Sequence, residues 1–293
     1  DDRLPSTLGL EADEANNRLL VAATDMDMMG LLGIYDLTTG ENINLIDFAP
    51  LTPNDPEHFV NDVAVDSDGN AYVTDSYAGV IYRVDPQGNA SVFLEDESFS
   101  TQFALNGIVY NVAGNYLLAV QVPNIIKIPL DNPAGFTQVA IPERFVGADG
   151  LVLLDNRTLV IITNNPAMVY RVESNDDFAT GTVTGTFATG NVNPTTVAAR
   201  DGQAYVLYAY LNAEEEVVTD FPIQRAAFEA PMMATPIEIP ADTTAEATAD
   251  MTDEMAMTDD ASMDMTNEMT PEMTDEMEME ATEVIEPTPE VTP

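Results

Sequence analysis

HFVNDVAVDSDGNAYVTDSYAGVIYRVDPQGNASVFLE, residues 58–95, decides the fold. Four short apolar runs stand in it: Val63-Ala64-Val65, Ala71-Tyr72-Val73, Val80-Ile81-Tyr82 and Ser91-Val92-Phe93-Leu94. Between them lie Asp68-Gly69-Asn70, Tyr77-Ala78-Gly79 and Asp85-Pro86-Gln87-Gly88-Asn89. Asp-Gly and Pro-x-Gly turns between β-branched and aromatic runs specify antiparallel hairpins. Four strands in a meander of about 40 residues form one blade of a β-propeller if the unit recurs.

The unit recurs. Asn61-Asp62-Val63 opens this copy, Asn106-Gly107-Ile108 opens the next, Asp149-Gly150-Leu151 the one after, and Pro194-Thr195-Thr196-Val197 follows at a similar interval. A more diverged copy starts near Ser6-Thr7-Leu8-Gly9-Leu10. Second strands are expected at 19–22, 71–74, 116–120, 158–163 and 204–208, and third strands at 33–37, 80–84, 125–128, 168–172 and, weakly, 222–228. A period in the forties with Val, Ile and Tyr in runs too short for helices predicts an all-β propeller of four-stranded antiparallel blades. The five repeats fall at about 6–57, 58–100, 101–145, 146–192 and 193–230. The fourth strand of the third copy is expected over 137–141.

The 293 residues are not uniform. Residues 1–235 carry the periodicity and suffice for one well-buried domain. Residues 236–293 consist mainly of Met, Thr, Asp, Glu, Ala and Pro without an aromatic side chain, a composition expected to stay disordered. Nine methionines in this tail raise a thioether copper(I) site against a plain repeat expansion. The Pro-rich ending reads as an extended stalk. Two further stretches offer metal donors: the Met/Asp loop 25–30, read as a greasy packing loop, and Glu214-Glu215-Glu216, read as a solvated loop.

The net charge is −42, from 9 basic and 51 acidic residues, which excludes nucleic acid and anionic membranes as partners. Without cysteine there is no disulfide, thiol nucleophile or thiolate metal site. No apolar run is long enough to span a bilayer. The chain opens at Asp1 in the run-in to a strand, so a processed chain or a fragment is expected. The acidic stalk and the lack of Cys, with a single Lys, point to an extracellular, periplasmic or cell-surface location; a monomer is the separate expectation for oligomeric state.

The first strand of each propeller blade lines the central channel. Asn61, Asn106 and Asp149 occupy the same point in three successive copies and are expected to converge at one rim. Two amide oxygens and a carboxylate on one axis suit a hard divalent cation, Ca²⁺ or Mg²⁺. The alternative is that these residues simply form Asx turns before the strands.

The segments FVNDVAVDSDGNAYVTDS, LNGIVYNVAGNYLLAV and VGADGLVLLDNRTLVII resemble the senescence-marker-protein/gluconolactonase (regucalcin-like) family. The resemblance covers residues 6 to about 229. It implies a six-bladed propeller holding a divalent cation, Ca²⁺ first, with Mg²⁺, Mn²⁺ or Zn²⁺ as alternatives, and hydrolysis of lactones or related esters. Asn106 and Asp149 match the family's metal ligands, and Asn61 matches the Asn that binds metal or substrate beside them. Asp149 also matches the residue that orients or deprotonates the attacking water.

Two departures stand out. The family's remaining ligand, a Glu in a Glu-Gly context, has no counterpart; Leu8-Gly9 is the nearest text, and the spacing aligns this copy with the family's second blade. The chain is therefore expected to lack blade one. Phe59 stands where sugar-lactonases carry Arg, which suggests a less polar ligand at a substrate-binding position. His58, the sole His, lies three residues before Asn61 and is weighed as a rim catalytic group against an ordinary loop His. Asp75 is weighed as a rim acid. The rival to a metal-dependent hydrolase is a non-catalytic binding propeller, since fold does not fix function.

Overall fold

The pentapeptide Asp-x-x-Gly-Asn occurs twice in 58–95, and both copies fold alike. Asp66 Oδ1 accepts the N–H groups of Asp68 (2.9 Å) and Asn70 (2.8 Å), and Asp85 Oδ1 those of Gln87 (2.9 Å) and Asn89 (2.8 Å). Asn70 and Asn89 each return a side-chain N–H to the second carboxylate oxygen at 2.8 Å. Gly69 and Gly88 take the left-handed conformation the turn requires, at φ +81° and +87°. These local devices set the hairpin register before any long-range packing.

The computed structural model describes residues 3–231 except positions 5, 26, 191–192 and 211–219. They fall in one compact unit, Asp1–Ala234, and form five sheets. The first blade comprises β1 (Thr7–Asp13), β2 (Arg18–Thr24), β3 (Gly30–Asp36) and β4 (Asn42–Asp47). The second comprises β5 (Val60–Val65), β6 (Ala71–Asp75), β7 (Val80–Val84) and β8 (Ala90–Glu95). The third holds β9 (Leu105–Asn111), β10 (Tyr116–Gln121), β11 (Asn124–Pro129) and β12 (Thr137–Gln138). The fourth holds β13 (Ala148–Asp155), β14 (Thr158–Thr163), β15 (Met168–Glu173) and β16 (Thr182–Ala188). The fifth shows three strands among the described residues, β17 (Pro194–Arg200), β18 (Gln203–Tyr208) and β19 (Ile223–Arg225). Every pairing is antiparallel and each sheet runs in chain order, so the architecture is a five-bladed propeller.

Each pair of neighbouring blades buries its own core. Leu20, Leu32 and Phe48 meet Val63, Val73 and Tyr82 between blades one and two, with the Phe48 and Tyr82 rings stacked at 4.2 Å. Tyr72, Ile81 and Phe99 meet Leu105, Leu117 and Ile126 between blades two and three. Similar clusters join blades three to four and four to five. Second strands sit between two such cores, so β6 is buried along its whole length and β10 at all but its last residue.

The inner strands β1, β5, β9, β13 and β17 pack side by side in that order. Their contact is backbone on backbone. A Cβ at Gly9 would lie 2.6 Å from the carbonyl oxygen of Asn61, one at Gly107 would overlap the carbonyl oxygen of Asp149, and one at Gly150 would lie 2.7 Å from Cα of Thr196.

Two details differ from expectation. The last strand of the third blade ends at Gln138 rather than 141, because Ala140 turns to bridge Thr180 of the fourth blade. In the fifth blade the third strand is confined to 223–225, and Glu229 crosses to pair with Thr186 of blade four. The acidic triplet 214–216 and the Met-rich tail lie outside the described residues, as does Met26 in the loop 25–30.

Candidate functional site

One irregularity repeats around the ring. Pairing of the inner with the second strand slips between Thr7 and Leu10, between Val60 and Val63, between Leu105 and Ile108, between Ala148 and Leu151, and between Pro194 and Thr196. A bulge at a fixed point of every blade re-aims the side chains there toward the channel mouth. The bulged pairs are Leu8-Gly9, Asn61-Asp62, Asn106-Gly107 and Asp149-Gly150, with Thr195 at the matching point of blade five.

The result is a cavity of ≈ 430 Å³ bordered by Asn61, Asn106, Asp149 and Phe59, so four of the sequence-derived site residues share one space. Leu8, Asp62, Phe103, Asn164, Thr195 and Thr196 also border it. Asn61 is held by its side-chain N–H to Ser76 Oγ (3.0 Å), and Ser76 Oγ in turn donates to the carbonyl of Leu105 (2.6 Å). Asn164 Nδ2 donates to Asp149 Oδ2 at 3.2 Å. Asn106 is buried, and its Oδ1 has no hydrogen-bond partner.

Two carboxyl groups, Asp62 and Asp149, border the cavity, and a third, Glu11 of blade one, feels the Asp62 charge. Asp62 takes the bulge position that Gly107 and Gly150 hold in the next two blades. Its Oδ2 accepts the N–H of Ile108 in blade three at 2.9 Å, and its Oδ1 the N–H of Val63 at 2.9 Å. Burial raises its pKa to about 6 against the pull of those two N–H groups. Asp149 is pushed up to about 7, first by burial and then by the Asp62 charge, with the Asn164 and Asn106 amides opposing. Glu11 is pushed up to about 7 by burial and by the Asp62 and Asp13 charges. Asp62 thus couples the carboxyl groups of three blades. Sequence reading passed over Asp62, Glu11 and Asn164; the available signal was an Asp at the repeat position where neighbouring copies carry Gly.

Among the described residues, no three His, Cys, Asp or Glu side chains come together closely enough to hold a metal ion. A cation at the channel mouth therefore has to draw on amide oxygens beside the Asp149 carboxylate. The unpartnered Asn106 Oδ1 is an acceptor of the kind such an ion uses, and the Asn61, Asn106 and Asp149 oxygens are hard donors.

His58 does not border the cavity. It is 1% exposed, lies against Gly30 between blades one and two, and pairs through Nδ1 with Asp75 Oδ2 at 2.8 Å. Its Nε2 has no partner. The hydrogen bond to Asp75 raises the imidazole pKa, against the effect of burial. Asp75 is 0% exposed and works as a hub rather than a rim acid. Its Oδ1 accepts the N–H groups of Phe59 (3.0 Å), Tyr77 (3.1 Å) and Ala78 (3.1 Å), and Tyr82 donates its hydroxyl to Oδ2 at 3.3 Å.

Phe59, Tyr77 and Phe103 form an aromatic trio at the cavity edge, with centroids 5.4, 5.3 and 5.1 Å apart pairwise. Phe103 is 44% exposed and sits at φ +59°, a left-handed conformation that costs a non-glycine residue about 1–2 kcal/mol. Its N–H bonds to the carbonyl of Ser76 at 2.9 Å, which fixes the ring over the cavity.

Neither a family model nor a curated protein matches the chain. Solved structures do resemble it. The major Malassezia sympodialis allergen Mala s 1 superposes with a TM-score of 0.59 at 18% identity, over 70% of this chain and 73% of that one. A gluconolactonase from Xanthomonas campestris gives 0.52 at 13% identity, over 69% of each chain. Virginiamycin B lyase from Staphylococcus aureus gives 0.51 at 15% identity, over 77% and 71%. This chain shares the propeller fold of those proteins. At such identities the likeness is one of fold, and the chemistry has to be argued from the cavity itself.

Proposed function

We propose that the channel-mouth cavity is the site of a divalent-cation-assisted hydrolase acting on a lactone or related ester. The observation that carries this reading is the convergence of the unpartnered, buried Asn106 Oδ1 with the Asn61 amide and the Asp149 carboxylate on one cavity. Asn61, Asn106 and Asp149 would hold the ion, which supplies Lewis-acid polarisation of a carbonyl and acidification of water. Asp149 accepts the proton released when water attacks the acyl carbon. Asn164 orients that carboxylate through its 3.2 Å hydrogen bond, and Ser76 fixes the Asn61 amide. As the tetrahedral adduct collapses, the C–O bond of the ring breaks and the leaving oxygen takes the proton back from Asp149, becoming the free hydroxyl.

A sixth blade belongs to the same reading. The apolar cluster on the far face of blade one, Leu4, Val21 and Ala23 with Leu19, Leu31, Tyr35 and Leu45, contains no residue of another blade among those described. Such a face is the one a further blade would cover.

A second reading, a non-catalytic binding propeller, is favoured by Leu8. It puts an apolar side chain at the ring position where three following blades carry oxygen donors. Release of hydroxy acid from a panel of γ- and δ-lactones and aryl esters, with Ca²⁺ and with chelator, separates the two. Cation-dependent product release that is lost in Asn106→Ala is expected for the hydrolase. Saturable binding of the panel with no product would establish the binding propeller instead.

A further inference from the structure

We infer that the Phe59–Tyr77–Phe103 trio is a subsite for an uncharged apolar arm of the ligand, alkyl or aryl, attached to the carbonyl group that the polar ring receives. The inference rests on the site assignment above and adds the class of ligand.

Three observations carry it. First, the cavity border offers two chemistries: Asn61, Asn106 and Asp149 present oxygen donors, and the half-buried Phe59 and the exposed ring of Phe103 present aromatic surface. Second, the trio is built rather than incidental. Asp75 anchors the backbones of Phe59 and Tyr77, Ser76 anchors that of Phe103, and Phe103 is kept in a left-handed conformation that only fixed surroundings maintain. The same Ser76 hydroxyl holds Asn61, so the apolar edge and the polar ring share one support. Third, Phe103 stands between the central cavity and a second one of ≈ 520 Å³, which Asn106 and Asn164 also border. An arm laid across Phe103 therefore has room to continue.

The charge of the arm follows from the geometry. Ring centroids 5.1–5.4 Å apart are already in mutual contact, so the trio encloses no space for an ammonium group and offers an outer apolar face instead. An anionic arm would meet Asp62 and Asp149. A polyhydroxylated sugar arm would leave its hydroxyls unpaired against the phenyl rings.

The test uses the full chain and a lactam series that resists hydrolysis, 2-pyrrolidinone carrying a linear 5-alkyl arm of zero to six carbons, titrated by NMR. A fully buried methylene is worth about fourfold in affinity and a half-buried one about twofold. We expect the dissociation constant to fall by about two- to fourfold per methylene over the first few carbons. Phe103→Ala should flatten that dependence, read within each protein as the affinity of each alkyl lactam relative to unsubstituted 2-pyrrolidinone, and Phe103→Leu should restore part of it. Affinity independent of arm length, or a dependence that survives in both Phe103→Ala and Phe59→Ala, overturns the subsite. If the lactams follow the expected pattern while the matching lactones are not hydrolysed, the subsite stands and the hydrolase reading falls. If glucono-δ-lactone is hydrolysed as efficiently as the alkyl lactones, the hydrolase stands and the subsite falls.

Discussion

Asp75→Ala is expected to lower the unfolding free energy by about 3–5 kcal/mol, the cost of removing one partner from a buried ionic hydrogen-bonded pair. The substitution leaves His58 Nδ1 without its acceptor, on a buried ring whose Nε2 is already unsatisfied. It also strands the N–H groups of Phe59, Tyr77 and Ala78 and the Tyr82 hydroxyl. Asp75→Asn keeps one acceptor oxygen and should cost less. The pH dependence has a definite sign. The His58 pKa is raised in the folded protein, chiefly by its hydrogen bond to Asp75. The stabilisation that comes from charging the imidazole is complete below its unfolded value, about 6.5, and fades as pH rises through the folded one. The difference between wild type and Asp75→Ala should therefore be larger at pH 6 than at pH 9 in denaturant unfolding. A loss below about 1 kcal/mol at both pH values would show that the pair is not the support described.

Asp149→Asn is expected to move activity and stability in opposite directions. Removing a general base costs about 10²–10⁴ in rate. Stability should rise at neutral pH, because folding lifts the Asp149 pKa from 3.8 to about 7. Between those values the folded chain holds a proton that the unfolded chain releases, so wild-type stability falls as pH rises through this window. The variant removes this slope. Its advantage is absent below about pH 4, grows toward pH 7 and then stays level, at an order of a few kcal/mol. The Asn amide still accepts the Asn164 N–H. Urea midpoints across pH 4–8, measured beside lactone turnover, test both signs. A variant less stable than wild type at pH 7 would mean that Asp149 is compensated in the folded chain. Such a trade-off marks a group kept for function at the expense of stability.

The blades were legible because their determinants are local. The Asp-x-x-Gly-Asn turns close hairpins by themselves, and the repeated Asn-Asp, Asn-Gly and Asp-Gly steps mark the bulge of each inner strand. The same periodicity brought Asn61, Asn106 and Asp149 to one cavity without revealing what faces them. His58 is three residues from Asn61, yet it lies between blades one and two; proximity along the chain does not say which side of a strand entry a residue takes. Phe59, Tyr77 and Phe103 come from three separate segments whose rings meet because Asp75 and Ser76 anchor their backbones. Asp62 needed the knowledge that glycine's place in the ring is a backbone contact, where a carboxylate must reach across to Ile108.

Asn61, Asn106 and Asp149 are proposed to bind one divalent cation. Calorimetric titration of Ca²⁺ into the full chain at about 0.15 M ionic strength tests it directly, because salt at that level screens loose binding to exposed acidic residues. One stoichiometric site in the wild type is expected, lost in Asn106→Ala and in Asp149→Asn and retained in Phe103→Ala. Indistinguishable isotherms for all four proteins would contradict the account.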